Sequence, residues 1–148
     1  MKHVLTLIHS NGANPYNLKL ELTESMLVDN VEDVISKMVI LKSHGAGFSL
    51  DDFGTGYSSL AYLQRFPLDQ VKIDRAFVRD ILTNKNSAAI SQAIIALSKA
   101  MGLKVIAEGV ETEAQRAFLA GLGCDVYQGY LFSPPVPEKE LRTLLESR

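Results

Sequence analysis

Leu18, Leu20 and Leu22 alternate with Lys19, Glu21 and Thr23, the period-two pattern of a half-buried strand. Asn30 then stands at an expected helix N-cap. Val34, Met38 and Leu41 recur at helical spacing until Gly45, a helix stop. Residues 47–50 form a short strand that runs into Asp51 and Asp52. A glycine-broken turn follows, Phe53-Gly54-Thr55-Gly56, and then a brief helix from about Ser59 that Pro67 closes. Residues 70–73 read as a third strand. Ile90, Ile94, Leu97 and Met101 share one helical face, and Gly102 ends that helix. Residues 104–107 are a fourth strand leading into Glu108-Gly109. Thr112-Glu113-Ala114-Gln115 has capping-box form, with Phe118 and Leu122 on the helix behind it. Residues 125–128 read as the last strand, 133–137 as an extended tail, and 138–145 as a final helix.

This order repeats strand and helix five times, which predicts a parallel sheet with helical crossovers. No internal repeat or low-complexity linker interrupts it, so residues 1–148 read as one domain. Each predicted strand ends in a polar group: Glu21, Asp51 with Asp52, Lys72, Glu108 and Gln128. A (β/α)8 barrel places its active site at the C-terminal ends of its strands. An open doubly wound sheet binds ligands at one switch point instead. Five consecutive reactive strand ends favour the barrel. A barrel takes about 250 residues, roughly 30 per βα unit. The fold class expected is therefore α/β, a partial (β/α)8 TIM-type barrel about three units short of closure.

Composition narrows the function classes. Lys and Arg total 15 against 17 Asp and Glu, a net charge of −2, so no basic surplus points to a nucleic-acid polymer. Hydrophobic residues make up 47%, which predicts a folded core rather than disorder. The apolar stretch at residues 4–8 is ended by His9, Ser10 and Asn11, short of a signal sequence. No segment approaches about 20 apolar residues, so no membrane span is expected. The single cysteine, Cys124, permits no intramolecular disulfide. That fits a cytoplasmic location, although a parent protein could carry an anchor elsewhere.

Glu21, Asp51, Asp52 and Glu108 would converge on one rim. Four close carboxylates repel unless positive charge sits among them. Mg²⁺ or Mn²⁺ suits such oxygen ligands. Two ions about 3.5–4 Å apart would suit phosphodiester hydrolysis, with Lys72 orienting water or offsetting phosphate charge. Each residue also has a plainer reading. Asp51-Asp52 suits a turn. Glu21 and Glu24 suit a solvated strand end, and Lys72 could pair with Asp74 on the surface. Residues 108–111 could be an ordinary loop, and Gln128 could cap a carbonyl. His3, His9 and His44 read as surface residues and Cys124 as a small buried one. The joint placement outweighs these separate readings.

Five motifs then appear in order: Glu21-Leu22-Thr23-Glu24, the run Asp51-Asp52-Phe53-Gly54-Thr55-Gly56-Tyr57-Ser58-Ser59, Lys72-Ile73-Asp74, Ala107-Glu108-Gly109-Val110-Glu111, and Gln128-Gly129-Tyr130. Together they resemble the EAL phosphodiesterases of bacterial cyclic di-GMP signalling, from about Leu5 to Pro137. The resemblance implies the last five βα units of an EAL domain and metal-dependent hydrolysis of cyclic di-GMP to linear pGpG. It implies that Glu21, Asp51, Asp52 and Glu108 are metal ligands and that Lys72 and Glu108 are catalytic. Glu24 would steady the loop of Phe53, Gly54, Thr55 and Gly56, which in this family links the site to a dimer interface. Glu111 and Gln128 would support the site, and Gln128 and Asp52 would contact substrate. The Glu-Ala-Leu motif and the family's asparagine ligand have no counterpart here, and a position often basic in relatives is Pro134. The chain is therefore expected to be an N-terminally truncated domain, covered by a second copy or a complementary fragment. The alternative is a catalytically inactive EAL-like module that binds cyclic di-GMP or a protein partner. A different metal-dependent barrel, of the enolase type, fits the acids and lysine but not the Asp51–Ser59 and Ala107–Glu111 runs.

Overall fold

A computed structural model of the chain describes residues 2–27, 30–54 and 63–146. Helix α1 (Lys2–Ser10) buries Ile8 and packs Val4 and Leu5 against the core. A 3-10 turn (Pro15–Asn17) leads into β1 (Lys19–Thr23), and a second (Glu24–Leu27) follows it. Next come α2 (Val31–Ser43), β2 (Gly47–Phe53), β3 (Gln70–Ile73), α3 (Arg75–Arg79) and α4 (Lys85–Ala100). The chain continues through β4 (Lys104–Glu108), α5 (Glu113–Gly121), β5 (Val126–Gln128) and α6 (Glu138–Glu146).

The five strands are all parallel and lie in chain order. A doubly wound sheet reverses its order at a switch point, and this sheet does not. Parallel strands in chain order, with helices described between β1 and β2, β3 and β4, and β4 and β5, make this a partial (β/α)8 barrel; the brief helix expected from about Ser59 lies largely outside the described residues. Side chains alternate across each strand. Leu20, Leu22, Phe48, Leu50, Val71, Ile73, Val105 and Ala107 belong to the hydrophobic core, where α4 packs on β3 and β4. The opposite, inner face carries Lys19, Glu21, Ser49, Asp51, Gln70, Lys72, Lys104 and Glu108. There the buried Gln70 Nε2 donates to Ser49 Oγ at 3.0 Å. Val71 and Ile73 are wholly buried in the central strand, each worth about 1.5–3 kcal/mol of apolar burial.

The helices follow their sequence signals with shifts. Met38 and Leu41 are buried as their spacing predicts. Asn30 does hold the N-cap position of α2, but in a left-handed conformation and without a side-chain cap bond. On α4 the buried face is Ser87, Ser91, Ile94, Ile95 and Ser98, while Ile90 is exposed. Small serines let this helix approach the sheet where larger side chains would hold it off. Leu119 is buried on α5 and Phe118 is not, a rotation of one residue from the expected stripe. The capping box forms in full: Thr112 Oγ1 accepts from the Gln115 N–H, and Gln115 Oε1 accepts from the Thr112 N–H. Gln115 Nε2 also donates to the Val78 and Arg79 carbonyls, tying α5 to α3. Phe53 is a correction to the sequence reading: it is the last residue of β2 and sits in the core, because its ring gains more from burial than from a place in the turn.

Candidate active site

Lys72 lies on the inner face of β3, with its side chain only 7% exposed. Its ammonium has three donors. It meets Glu108 Oε1 at 2.6 Å, Glu21 Oε1 at 2.9 Å and Asp51 Oδ1 at 3.1 Å. These carboxylates come from β4, β1 and β2, so one cation links the ends of four adjacent strands. Burial alone would push the Lys72 ammonium towards neutrality. Hydrogen bonds to Glu108, Glu21 and Asp51 outweigh it and hold the pKa above the ordinary lysine value. Lys72 therefore stays charged, and its partners are the strand-end carboxylates; the plainer alternative, a surface pairing with Asp74, gives way to this cluster.

Asp51 and Asp52 are consecutive, and consecutive strand residues ordinarily face opposite sides. The β2–β3 pairing slips between Leu50 and Phe53, and Asp52 adopts φ +54°. Aspartate tolerates this left-handed backbone better than most residues. The irregularity brings both carboxylates to one rim, in the way β-bulges re-aim side chains. Oxygens of Asp51, Asp52 and Glu108 lie within 4.8 Å of one another. A hydrogen bond shared with Asp74 pushes the Asp52 carboxyl up, and burial and the charges of Asp51, Asp74 and Glu108 add to it. This is a concentration of like charge that a hard divalent cation would relieve.

The remaining expected residues fall around this centre. Glu24 is buried, and its Oε1 accepts from the Gly54 N–H at 3.3 Å. Thr55 and Gly56 lie outside the described residues. Gln128 pairs with Glu108 across β4 and β5, and with Glu111 it lines a cleft of about 560 Å³ beside Glu108, Arg75, Arg79 and Tyr130. The sequence motifs include Asp74 and Tyr130 but give them no role, and Arg75 and Arg79 are missed. Asp74 caps α3, its Oδ1 accepting from the Ala76 N–H at 2.6 Å, while it also faces Asp52. An Asp just past a strand, at a helix start, was its available signal. The arginines follow from α3, which is too short to show a periodic stripe.

The family model for the EAL domain matches residues 1–135. The chain belongs to the EAL-domain family. It is 49% identical over 130 residues to the cyclic di-GMP phosphodiesterase NbdA of Pseudomonas aeruginosa, covering 88% of this chain and 17% of that protein. It resembles the solved PaMucR phosphodiesterase, in complex with c-di-GMP, with a TM-score of 0.89 and 43% identity, over 93% of this chain and 56% of that one. It also resembles Klebsiella pneumoniae BlrP1 in a manganese and cyclic di-GMP complex, with a TM-score of 0.81 and 32% identity, over 90% of this chain and 34% of that one. This EAL chain thus spans less than two thirds of the length of each. Among its described residues, no helix is long and apolar enough to cross a membrane.

Proposed function

We propose that this EAL domain takes part in metal-dependent hydrolysis of cyclic di-GMP to linear pGpG in bacterial second-messenger signalling. The observation that carries the reading is the convergence of Glu21, Asp51, Asp52 and Glu108 around Lys72 at the C-terminal rim of a parallel barrel sheet. The relatives support it, being named phosphodiesterases or solved with cyclic di-GMP.

The donor set fits Mg²⁺ or Mn²⁺: all oxygen, closely spaced and short of positive charge. Asp51, Asp52 and Glu108 would hold the metal, with Glu21 beside them. Two such ions would supply charge for the phosphate and acidify a water. Lys72, fixed as an ammonium, acts as hydrogen-bond donor and counter-charge, not as a base. Water oxygen bonds to phosphorus and the P–O3′ bond breaks; one water proton ends on the departing 3′ oxygen, making it a hydroxyl, and the other stays on the new 5′-phosphate or passes to solvent. Glu24 fixes Gly54 and so the start of the loop beside Asp52. Glu111 and Gln128 wall the cleft in which a nucleotide arm of the substrate would lie.

Among the described residues β1 pairs only with β2, and β5 only with β4. Unpaired edges invite strand pairing. The reading therefore includes association with a second copy or a complementary fragment, in the cytoplasm. A compact monomer by light scattering would overturn that part.

The test is pGpG formation from cyclic di-GMP with Mn²⁺ or Mg²⁺. Metal-dependent product that disappears in Glu108→Ala is expected. No product from folded protein, with cyclic di-GMP still bound, would replace hydrolysis by the binding-module reading.

A further inference from the structure

The inner face of the sheet has a second end. Lys19 opens β1 and Lys104 opens β4, on the face that ends in Glu21 and Glu108. That face is basic where the strands begin and acidic where they finish. Lys19 and Lys104 line a cleft of about 520 Å³ with Tyr16, Lys42, Gly45 and Asp69. This lies within the range of small-molecule sites.

Charge in this cleft is not balanced. Asp69 has both oxygens engaged: Oδ1 accepts from Lys42 at 2.8 Å and Oδ2 from the Phe48 N–H at 2.7 Å. Lys42 therefore pairs directly with Asp69, on which the charge of Lys19 also acts, and one carboxylate stands against three lysines. Lys19 and Lys104 are exposed, and neither forms an ion pair among the described residues. Two surplus cations thus share one cleft in a chain of net charge −2.

Tyr16 supplies the second feature. The residue is 80% exposed. Asn14 Oδ1 accepts the Tyr16 N–H at 3.1 Å and fixes the turn that carries it. The ring lies over Gly45, where an added Cβ would come within 3.1 Å of Cδ2, Cε2 and Cζ alike. Gly45 has φ +100°, so glycine is required there for both backbone and space. An exposed aromatic ring seated against Gly45 beside surplus cations offers a stacking platform for a planar base.

We propose that this cleft binds a nucleoside polyphosphate, with its base on Tyr16 and its phosphates between Lys19 and Lys104. The two lysines start strands three spacings apart, about 14 Å along the sheet. An extended phosphate chain with two long side chains bridges that span, and a single phosphate does not. The site is at the opposite end of the strands from the carboxylate cluster, so its occupancy does not depend on catalysis.

The test is titration of the whole chain with ATP and with inorganic tripolyphosphate, in EDTA at low ionic strength, by calorimetry and amide chemical shifts. Saturable one-to-one binding of ATP is expected, with shifts at Gly45, Gly47 and Gly102. The Lys19→Ala/Lys104→Ala double variant should weaken ATP and tripolyphosphate at least tenfold. Tyr16→Ala should weaken ATP and leave tripolyphosphate unchanged. Glu108→Gln should change neither. No saturable binding, or binding that survives loss of both lysines, overturns the site. Equal affinity for ATP and tripolyphosphate, unaffected by Tyr16→Ala, overturns the nucleotide assignment.

Discussion

Glu24 Oε1 accepts the Gly54 N–H at 3.3 Å, tying the exit of β1 to the exit of β2 directly behind Asp51 and Asp52. Glu24 is buried, and its other oxygen has no partner among the described residues. Glu24→Ala leaves the Gly54 N–H unpaired, a loss of about 1–3 kcal/mol. Glu24→Gln keeps an acceptor and removes a buried charge, so its stability should match or exceed the parent's. Urea unfolding of both variants checks this. A Glu24→Gln protein as unstable as Glu24→Ala would show that the charge, not the acceptor, holds the loop.

Gly109 and Arg75 meet closely where β4 leaves the sheet. Gly109 has φ +67°, and a Cβ there would sit 2.8 Å from Arg75 Cβ. Gly102 has φ +71°, but a Cβ there meets nothing within 4 Å. Gly102→Ala should therefore cost only backbone strain, about 1–2 kcal/mol. Gly109→Ala carries the same strain and must also push α3 away from Glu108. It should lower both stability and the rate of pGpG formation, whereas Gly102→Ala lowers stability alone. Paired unfolding and rate measurements separate the two, and equal effects on rate would refute the steric account.

Asp69 makes a pH prediction. Burial would raise its pKa, but the Lys42 hydrogen bond, the Phe48 N–H and the charges of Lys42 and Lys19 outweigh it, and the folded value lies below the ordinary one. A depressed carboxylate contributes stability that is complete above its unfolded pKa, about 3.9. The contribution is lost as pH falls through the lower folded value. Asp69→Asn should therefore destabilise the protein by about 1–2 kcal/mol at neutral pH. The gap from the parent should close in strong acid. A difference that stays constant from pH 7 into the acid range would show that the charge on Asp69 is irrelevant.

Much of this was legible in the sequence because the strands are short apolar runs bounded by glycine, proline and charge. β3 falls at residues 70–73 as expected, and the Thr112–Gln115 box forms with both of its bonds. Periodicity failed where tertiary contact decides. α3 has five residues, too few to show a stripe, and its start depends on the Asp74 cap. α1 shows in the sequence only as an apolar run. Phe53 was read into the turn by its glycine neighbours, but the core takes it. For the site, position at strand ends was enough to group Glu21, Asp51, Asp52, Lys72 and Glu108. It could not show that Lys72 sits at their centre. Nor could it show that a backbone irregularity turns Asp52 towards Asp51.

Lys72 and a divalent cation would draw on the same oxygens, and this sets opposite expectations for binding and for catalysis. Lys72 bonds Glu21, Asp51 and Glu108. Asp51 and Glu108 also belong to the acidic group that, with Asp52, could hold a metal. Removing the ammonium leaves those carboxylates facing one another without a counter-charge. Metal-free Lys72→Met should be destabilised by about 3 kcal/mol, as expected when one partner of a buried ion pair is lost. The deficit should shrink as pH falls towards the carboxylate range and protons replace the missing cation. Mn²⁺ should also repair it. A ligand at 100 times its Kd stabilises by about 2.7 kcal/mol, and Lys72→Met should bind Mn²⁺ more tightly than the parent because a competitor has gone. Its hydrolysis of cyclic di-GMP should nevertheless be lost. Calorimetric titration with Mn²⁺ alongside the pGpG assay reads both effects. Weaker Mn²⁺ binding in Lys72→Met would mean that the lysine holds the ligands in place instead of competing for them.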